Sequence, residues 1–225
     1  MSGCTQTAQE TGGTIVARDV TFSTSDGFTI YGSYSPGNQT AVILIPMLGK
    51  TRSTWNDFAT LLQKRGFSVL SIDSRGHGQS TMQHNASRSY TQFSAQDFQN
   101  MMRDVQAAKQ FLAQNGKTTF IIVGASIGAN VAINYAAEQN PYAVVLLSPG
   151  LDYRGVKTQS SVSAYHGPLL IVVSDDDEYA YQSSQTLAKT RQLDLQVYSG
   201  AGHGTEMLAD KTISAFVLDW IAKQK

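Results

Sequence analysis

Cysteine is almost missing from this chain: Cys4 is the only one in 225 residues. A lone thiol excludes an internal disulfide and any metal site built from cysteines. The four histidines, His77, His84, His166 and His203, show none of the close pairing of a zinc-binding helix. Charge of one sign is also missing, with 17 basic residues against 17 acidic ones and no basic cluster. Nothing here could neutralise a row of phosphates, so nucleic acid is not an expected partner. No apolar run is long enough to cross a bilayer. Internal repeats and linker-like stretches are absent too, so nothing divides the chain into modules.

What is present suffices for one domain. Hydrophobic residues make up 41% of the chain and charged residues 15%, enough for a sizeable buried core at this length. We expect a single domain over residues 14–225 behind a flexible tail at 1–13. Within the tail, Ser2-Gly3-Cys4 fits the small-small-Cys triplet at the end of a bacterial lipoprotein signal. A lipidated Cys4 would tether the domain to a cell-envelope membrane, with the polar stretch to Gly13 as spacer. The competing expectation is a cytoplasmic protein with a disordered tail and one incidental cysteine.

The hydrophobic pattern predicts an opening hairpin, Thr14–Ser23 and Phe28–Ser35, joined by Ser-Asp-Gly. Buried strands and amphipathic helices then alternate. Strands are predicted at 41–45, 67–72, 119–123, 143–147, 169–173 and 193–198, and helices at 54–65 and 95–115. The long helix carries Phe98, Met102, Val105 and Leu112 at helical spacing, and Gly116 ends it. A last helix shows Ile213, Phe216, Val217, Trp220 and Ile221 along one face. Strands separated by helices imply an α/β fold: a mainly parallel twisted sheet of about eight strands, covered on both sides.

Ligands on such sheets bind beyond the carboxyl ends of the strands, and the polar clusters of this sequence fall there. Gly124-Ala-Ser-Ile-Gly128 stands between a strand and a helix, the context in which G-x-S-x-G acquires meaning. A serine on so sharp a turn is strained and projects its hydroxyl, while flanking glycines avoid collisions with strand and helix. Ser126 is therefore the candidate nucleophile, and it needs a base to take its proton. His203, in Gly200-Ala-Gly-His-Gly204, is the candidate base, with His77 in Arg75-Gly-His-Gly78 as its rival. Asp175, Asp176 and Asp177 follow a buried strand, and one of them should orient the histidine. The others are candidates to cap the next helix, and at least one should face water.

These residues resemble the α/β-hydrolase family from about Val20 onward. The resemblance rests on Pro46-Met-Leu-Gly49, Asp73-Ser-Arg-Gly-His-Gly-Gln-Ser80, Gly124–Gly128 and Gly200–Gly204, in the order serine, acid, histidine. It implies a serine esterase or lipase-like enzyme that cleaves a small-molecule carboxylic ester through an acyl-enzyme, needing neither cofactor nor metal. Tyr179 aligned with the family's acidic-Asp-Pro-Tyr pattern selects Asp177, although Glu178 stands where relatives have proline. The resemblance gives His77 to a structural turn, and Asp73 and Arg75, which could look catalytic, are expected to brace that turn. It assigns the oxyanion hole to the backbone N–H groups of Ile127 and Leu48, with Met47 next in line because Pro46-Met47 replaces the usual His-Gly. Only Ser148–Gly167 occupies the place where relatives carry a lid, which implies a fairly open site. Met47, Leu48, Met82 and Tyr153 are candidates for an acyl pocket and equally for ordinary packing. Thioester or amide cleavage by the same machinery, or a non-catalytic ligand-binding member of the fold, are the alternatives.

Overall fold

The computed structural model describes residues 17–224, so Cys4 and the expected tether lie outside the described residues. An antiparallel hairpin of β1 (Arg18–Ser23) and β2 (Thr29–Ser35) opens the fold. It turns at Gly27, whose φ of +85° suits a residue without a Cβ. There follow β3 (Thr40–Ile45), α1 (Asn56–Lys64), β4 (Ser68–Ile72) and a two-stranded ribbon of β5 (Met82–Gln83) and β6 (Ala86–Ser87). Next come α2 (Ala95–Gln99), α3 (Met102–Gln114), β7 (Thr119–Ala125), α4 (Ile127–Gln139) and β8 (Ala143–Leu147). A second ribbon, β9 (Asp152–Tyr153) and β10 (Val156–Lys157), precedes α5 (Gln159–Ala164). The chain closes with β11 (Leu169–Ser174), α6 (Glu178–Thr190), β12 (Asp194–Tyr198) and α7 (Lys211–Ala222).

Eight strands form one sheet in the order β1-β2-β4-β3-β7-β8-β11-β12. From β4 to β12 the pairings are parallel, and β2 runs against both of its neighbours. The expected architecture, α/β with a mainly parallel sheet of about eight strands, is the one observed. Continuous apolar strands follow from burial on two faces. Along β3, Ala41, Ile43 and Ile45 enter one core layer, while Val42 and Leu44 enter the other. The first layer is closed by Val105, Ala108 and Leu112 of α3 and by the inner face of α4. The second is closed by Phe58 and Leu62 of α1 and by Ile213, Val217 and Ile221 of α7.

One predicted helix is divided. The 95–115 segment breaks at Asn100-Met101, where Met101 N–H reaches Phe98 O (3.1 Å) and Arg103 N–H reaches Asn100 O (2.9 Å). Three-residue bonds advance the chain by fewer residues per turn, so the downstream helix shifts phase. Met101 is buried in consequence, and Met102, expected on the inner face, only packs partly against it. The step also leaves the Asp104 carboxylate inside, where it accepts from Arg75 N (2.9 Å) and Nε (2.8 Å).

Candidate active site

Ser126 joins β7 to α4 with φ +54° and ψ −123°, a conformation costly for any residue bearing a Cβ. Its N–H donates to Leu147 O on the neighbouring strand (2.8 Å), and its carbonyl accepts from Ala129 and Asn130 in the helix. Strand and helix pass so close here that a Cβ on Gly124 would sit 2.1 Å from Gly128 O. The glycines of the motif are therefore a packing requirement, and the serine absorbs the strain between them.

The carboxylates after β11 divide their partners in sequence order. Asp175 Oδ1 accepts from Gly200 N (3.1 Å), Asp176 Oδ1 from Gly202 N (3.3 Å), and Asp177 Oδ2 from His203 Nδ1 (2.5 Å). Ser174 Oγ joins the same series, accepting from Ala201 N (2.8 Å) and donating to Asp176. That bond holds the Asp176 carboxyl below its usual range. Two loops are thus laced together over four successive pairs. Asp175 and Asp176 are exposed and Asp177 is half-buried, which meets the expectation that at least one faces water. None of the three side chains caps α6: Asp177 holds the cap position without a capping bond. A carboxylate facing Nδ1 selects the tautomer that carries its proton there, which leaves Nε2 as the acceptor.

The next residue fixes the histidine from the other side. Gly204 N–H donates to Ser148 Oγ (2.9 Å) at the end of β8. A Cβ on Gly204 would lie 3.4 Å from that of Ala125, so the histidine loop runs directly beside the serine turn. Met47 sits beneath this loop, its sulfur 4.0 Å from Thr205 Oγ1, and is core rather than pocket wall. Leu48 belongs to a turn closed by Lys50 N–H to Met47 O (3.1 Å), with Gly49 at φ +72°. The N–H groups of Leu48 and Ile127 meet no acceptor among the described residues, as an oxyanion hole needs.

His77 is elsewhere. It is buried in the turn after β4, its Nδ1 2.9 Å from Arg75 O and its ring stacked on Tyr90 (centroids 4.1 Å). Burial pushes this imidazole below its usual range. Asp73 braces the same turn, accepting from Arg52 N (2.8 Å) and Gln79 N (3.0 Å). Arg75 is clamped between Asp26 and Asp104.

The expected openness needs correction. No large lid is present among the described residues, but the β9–β10 ribbon is bonded to α4 just past the serine turn through Asn130, and Ser126 is only 7% exposed. Twenty residues are too few for a separate cap. Sequence reasoning passed over Ser148 and Ser174 as well. Their one legible signal is a serine directly after a buried strand, on the rim where the site forms. A polar groove of about 710 Å³, lined by Gln99, Arg103, Tyr135 and Lys157, lies away from these residues.

The fold defines an α/β hydrolase, and comparison with known proteins agrees. A sequence profile described as serine aminopeptidase, S33, matches residues 37–159. That is more than half of the chain, which belongs to this family of α/β hydrolases. An uncharacterized protein of Mycobacterium tuberculosis (strain H37Rv) is 27% identical over 221 residues, covering 86% of this chain and 74% of its own. A probable 2-oxo-3-(5-oxofuran-2-ylidene)propanoate lactonase of a Bradyrhizobium species is 26% identical over 186 residues, covering 74% and 73%. Among solved structures, an esterase of Pyrococcus furiosus superposes with a TM-score of 0.77 at 19% identity, over 93% of this chain and 91% of that one. At that identity the likeness speaks for the fold.

Proposed function

We propose that this protein is a serine hydrolase of small-molecule carboxylic esters, working through an acyl-enzyme on Ser126, His203 and Asp177. The observation that carries the reading is the 2.5 Å contact between Asp177 and His203, on a loop running beside the strained serine turn. Asp177 holds the imidazole with Nδ1 protonated and stabilises its cation once formed. Nε2 takes the Ser126 proton as Oγ attacks the carbonyl carbon. The N–H groups of Ile127 and Leu48 receive the developing oxyanion, each commonly worth about 10²–10³ in rate. Collapse breaks the bond to the leaving oxygen, which takes the proton from His203. Water, activated by the same imidazole, then releases the acid and restores the hydroxyl.

The lactonase relative is consistent with this substrate class, since a lactone is a cyclic carboxylic ester. The family's aminopeptidase description makes amide cleavage the second reading, and one experiment addresses both. A chain-length series of p-nitrophenyl esters is assayed beside aminoacyl p-nitroanilides, with Ser126→Ala and fluorophosphonate labelling as controls. Ester turnover and labelling that vanish in Ser126→Ala are expected. Turnover of anilides alone would reassign the substrate, and labelling that survives in the variant would remove Ser126.

A further inference from the structure

We propose that Ser148 is a positioning residue for this reaction: its strained backbone aims a buried hydroxyl at Gly204 N–H and so holds His203 in line with Ser126. The inference rests on the ester-cleavage reading and gives a catalytic consequence to a side chain outside the triad and the oxyanion hole.

The first support is conformation. Ser148 follows β8 directly, has φ +50° and is fully buried. Glycine takes up such a conformation at no steric cost, whereas a residue with a Cβ is strained there. A serine in its place calls for a hydroxyl with a task that glycine cannot perform. Gly204 N–H donates to that hydroxyl at 2.9 Å, in a buried bond. The backbone of Ser148 is committed to the frame. Its N–H donates to Val172 O on β11 (2.9 Å), and its carbonyl accepts from Tyr153 Oη at a long 3.5 Å.

The second support is what the bond holds. Five successive N–H groups of the histidine loop, Gly200 to Gly204, donate to side chains. Their acceptors are Asp175, Ser174, Asp176, Glu206 and Ser148, in that order. The first four bonds are exposed or partly buried, so water can take the place of a lost acceptor. The fifth is buried. An N–H left unpaired in such a place is costly, and the chain moves to find it a partner. With Gly204 at φ +58°, the backbone beside His203 has the freedom to make that move.

The third support is register. Ser126 N–H donates to Leu147 O (2.8 Å), and Gly204 N–H donates to the hydroxyl of the very next residue. Two adjacent residues at the end of β8 thus locate the nucleophile and the base against each other. Asp177 orients the imidazole through Nδ1, and Ser148 sets how far that imidazole stands from Ser126. Both proton transfers of the proposed cycle run through His203, so both depend on this distance. A displacement of about 1 Å at a catalytic group commonly costs about 100-fold in rate.

The test uses two variants that both remove the hydroxyl, Ser148→Ala and Ser148→Gly, of which only the first keeps the strain. The glycine variant should melt about 2–4 °C above the alanine variant. Their activities should nevertheless agree. Each should lose about 10–100-fold in kcat on a p-nitrophenyl ester, with KM moving less than about threefold. Fluorophosphonate labelling of Ser126 needs the same base and should slow in proportion. Native kcat in either variant would overturn the assignment, and so would a rise in KM alone. A loss that follows stability, large in Ser148→Ala and small in Ser148→Gly, would reduce Ser148 to a structural residue. If Ser148→Ala does not fold, the unstrained Ser148→Gly still decides through kcat and labelling. Ser126→Ala separates the two levels. Turnover retained there removes the ester-cleavage reading itself. Native kcat in the Ser148 variants with Ser126→Ala inactive removes only the role of Ser148.

Discussion

Gly128 lies so close to Ile45 that a Cβ added to it would sit 2.5 Å from the Ile45 carbonyl oxygen. The neighbouring Pro46 carbonyl would be only 2.6 Å away. Both obstacles are backbone, one at the end of a core strand and the other where the Leu48 loop begins. Neither can swing aside as a side chain would. Gly128→Ala should therefore destabilise the protein by about 3 kcal/mol, the upper part of the usual overpacking range. It should also cut ester turnover at temperatures where the fold persists, because the clash pushes the serine turn from the Leu48 loop. Urea melts and assays below the melting temperature check both parts. A melt like the native one would mean that the chain relaxes there.

The lacing of residues 174–177 to 200–203 predicts unequal consequences for three adjacent aspartates. Asp177→Asn should lower kcat by about 10³–10⁴, because the amide no longer enforces the Nδ1 tautomer. Asp175→Ala and Asp176→Ala remove exposed bonds to backbone N–H groups, and each should cost less than about tenfold. Steady-state kinetics on the three variants make the comparison. A loss at Asp175 or Asp176 as large as at Asp177 would refute this division of roles.

A pH effect on stability follows from His77, whose buried imidazole is held below its ordinary range, with the Asp73 charge only partly offsetting burial. The unfolded chain takes up a proton near the ordinary pKa of about 6.5, while the native state resists until lower pH. Protons therefore favour the unfolded state in that window, and stability falls as pH drops through about 6.5 toward the depressed native value. Urea midpoints at about pH 7.5 and pH 5.5 measure the effect. His77→Gln should flatten the difference. A slope unchanged in that variant would place the titrating group elsewhere.

The sheet was legible because its strands are apolar runs with glycines at their ends, and β8 falls where the pattern puts it, at Ala143–Leu147. The division after Gln99 was not legible: Met101 and Met102 have the same hydrophobicity, and only the three-residue bonds decide which faces inward. Within the site, the serine, histidine and acid announce themselves through residue type and glycine spacing. Ser148 and Ser174 do not, since a serine that anchors a loop looks like any serine near a strand end. Tyr153 was visible only as one aromatic among several. Its place beside the His203 ring depends on a turn at Arg154-Gly155 and on Gly150, which periodicity cannot connect to a residue in a distant loop.

Asn130 offers the sharpest test of how that connection is maintained. Its amide is fully buried and bonds the ribbon twice, to Val156 O and to Gly150 N. Asn130→Ala would strand two backbone groups with no alternative partner on the inner face of α4. Each unsatisfied group commonly costs about 1–3 kcal/mol, so a loss of about 2–4 kcal/mol is expected. Because the same bonds hold the β9–β10 ribbon beside the serine turn, turnover should fall even where the variant remains folded. Fluorophosphonate labelling should accelerate as the hydroxyl is uncovered. Slower labelling alongside the stability loss would mean that Asn130 supports the serine turn itself, and that the ribbon stays in place without it.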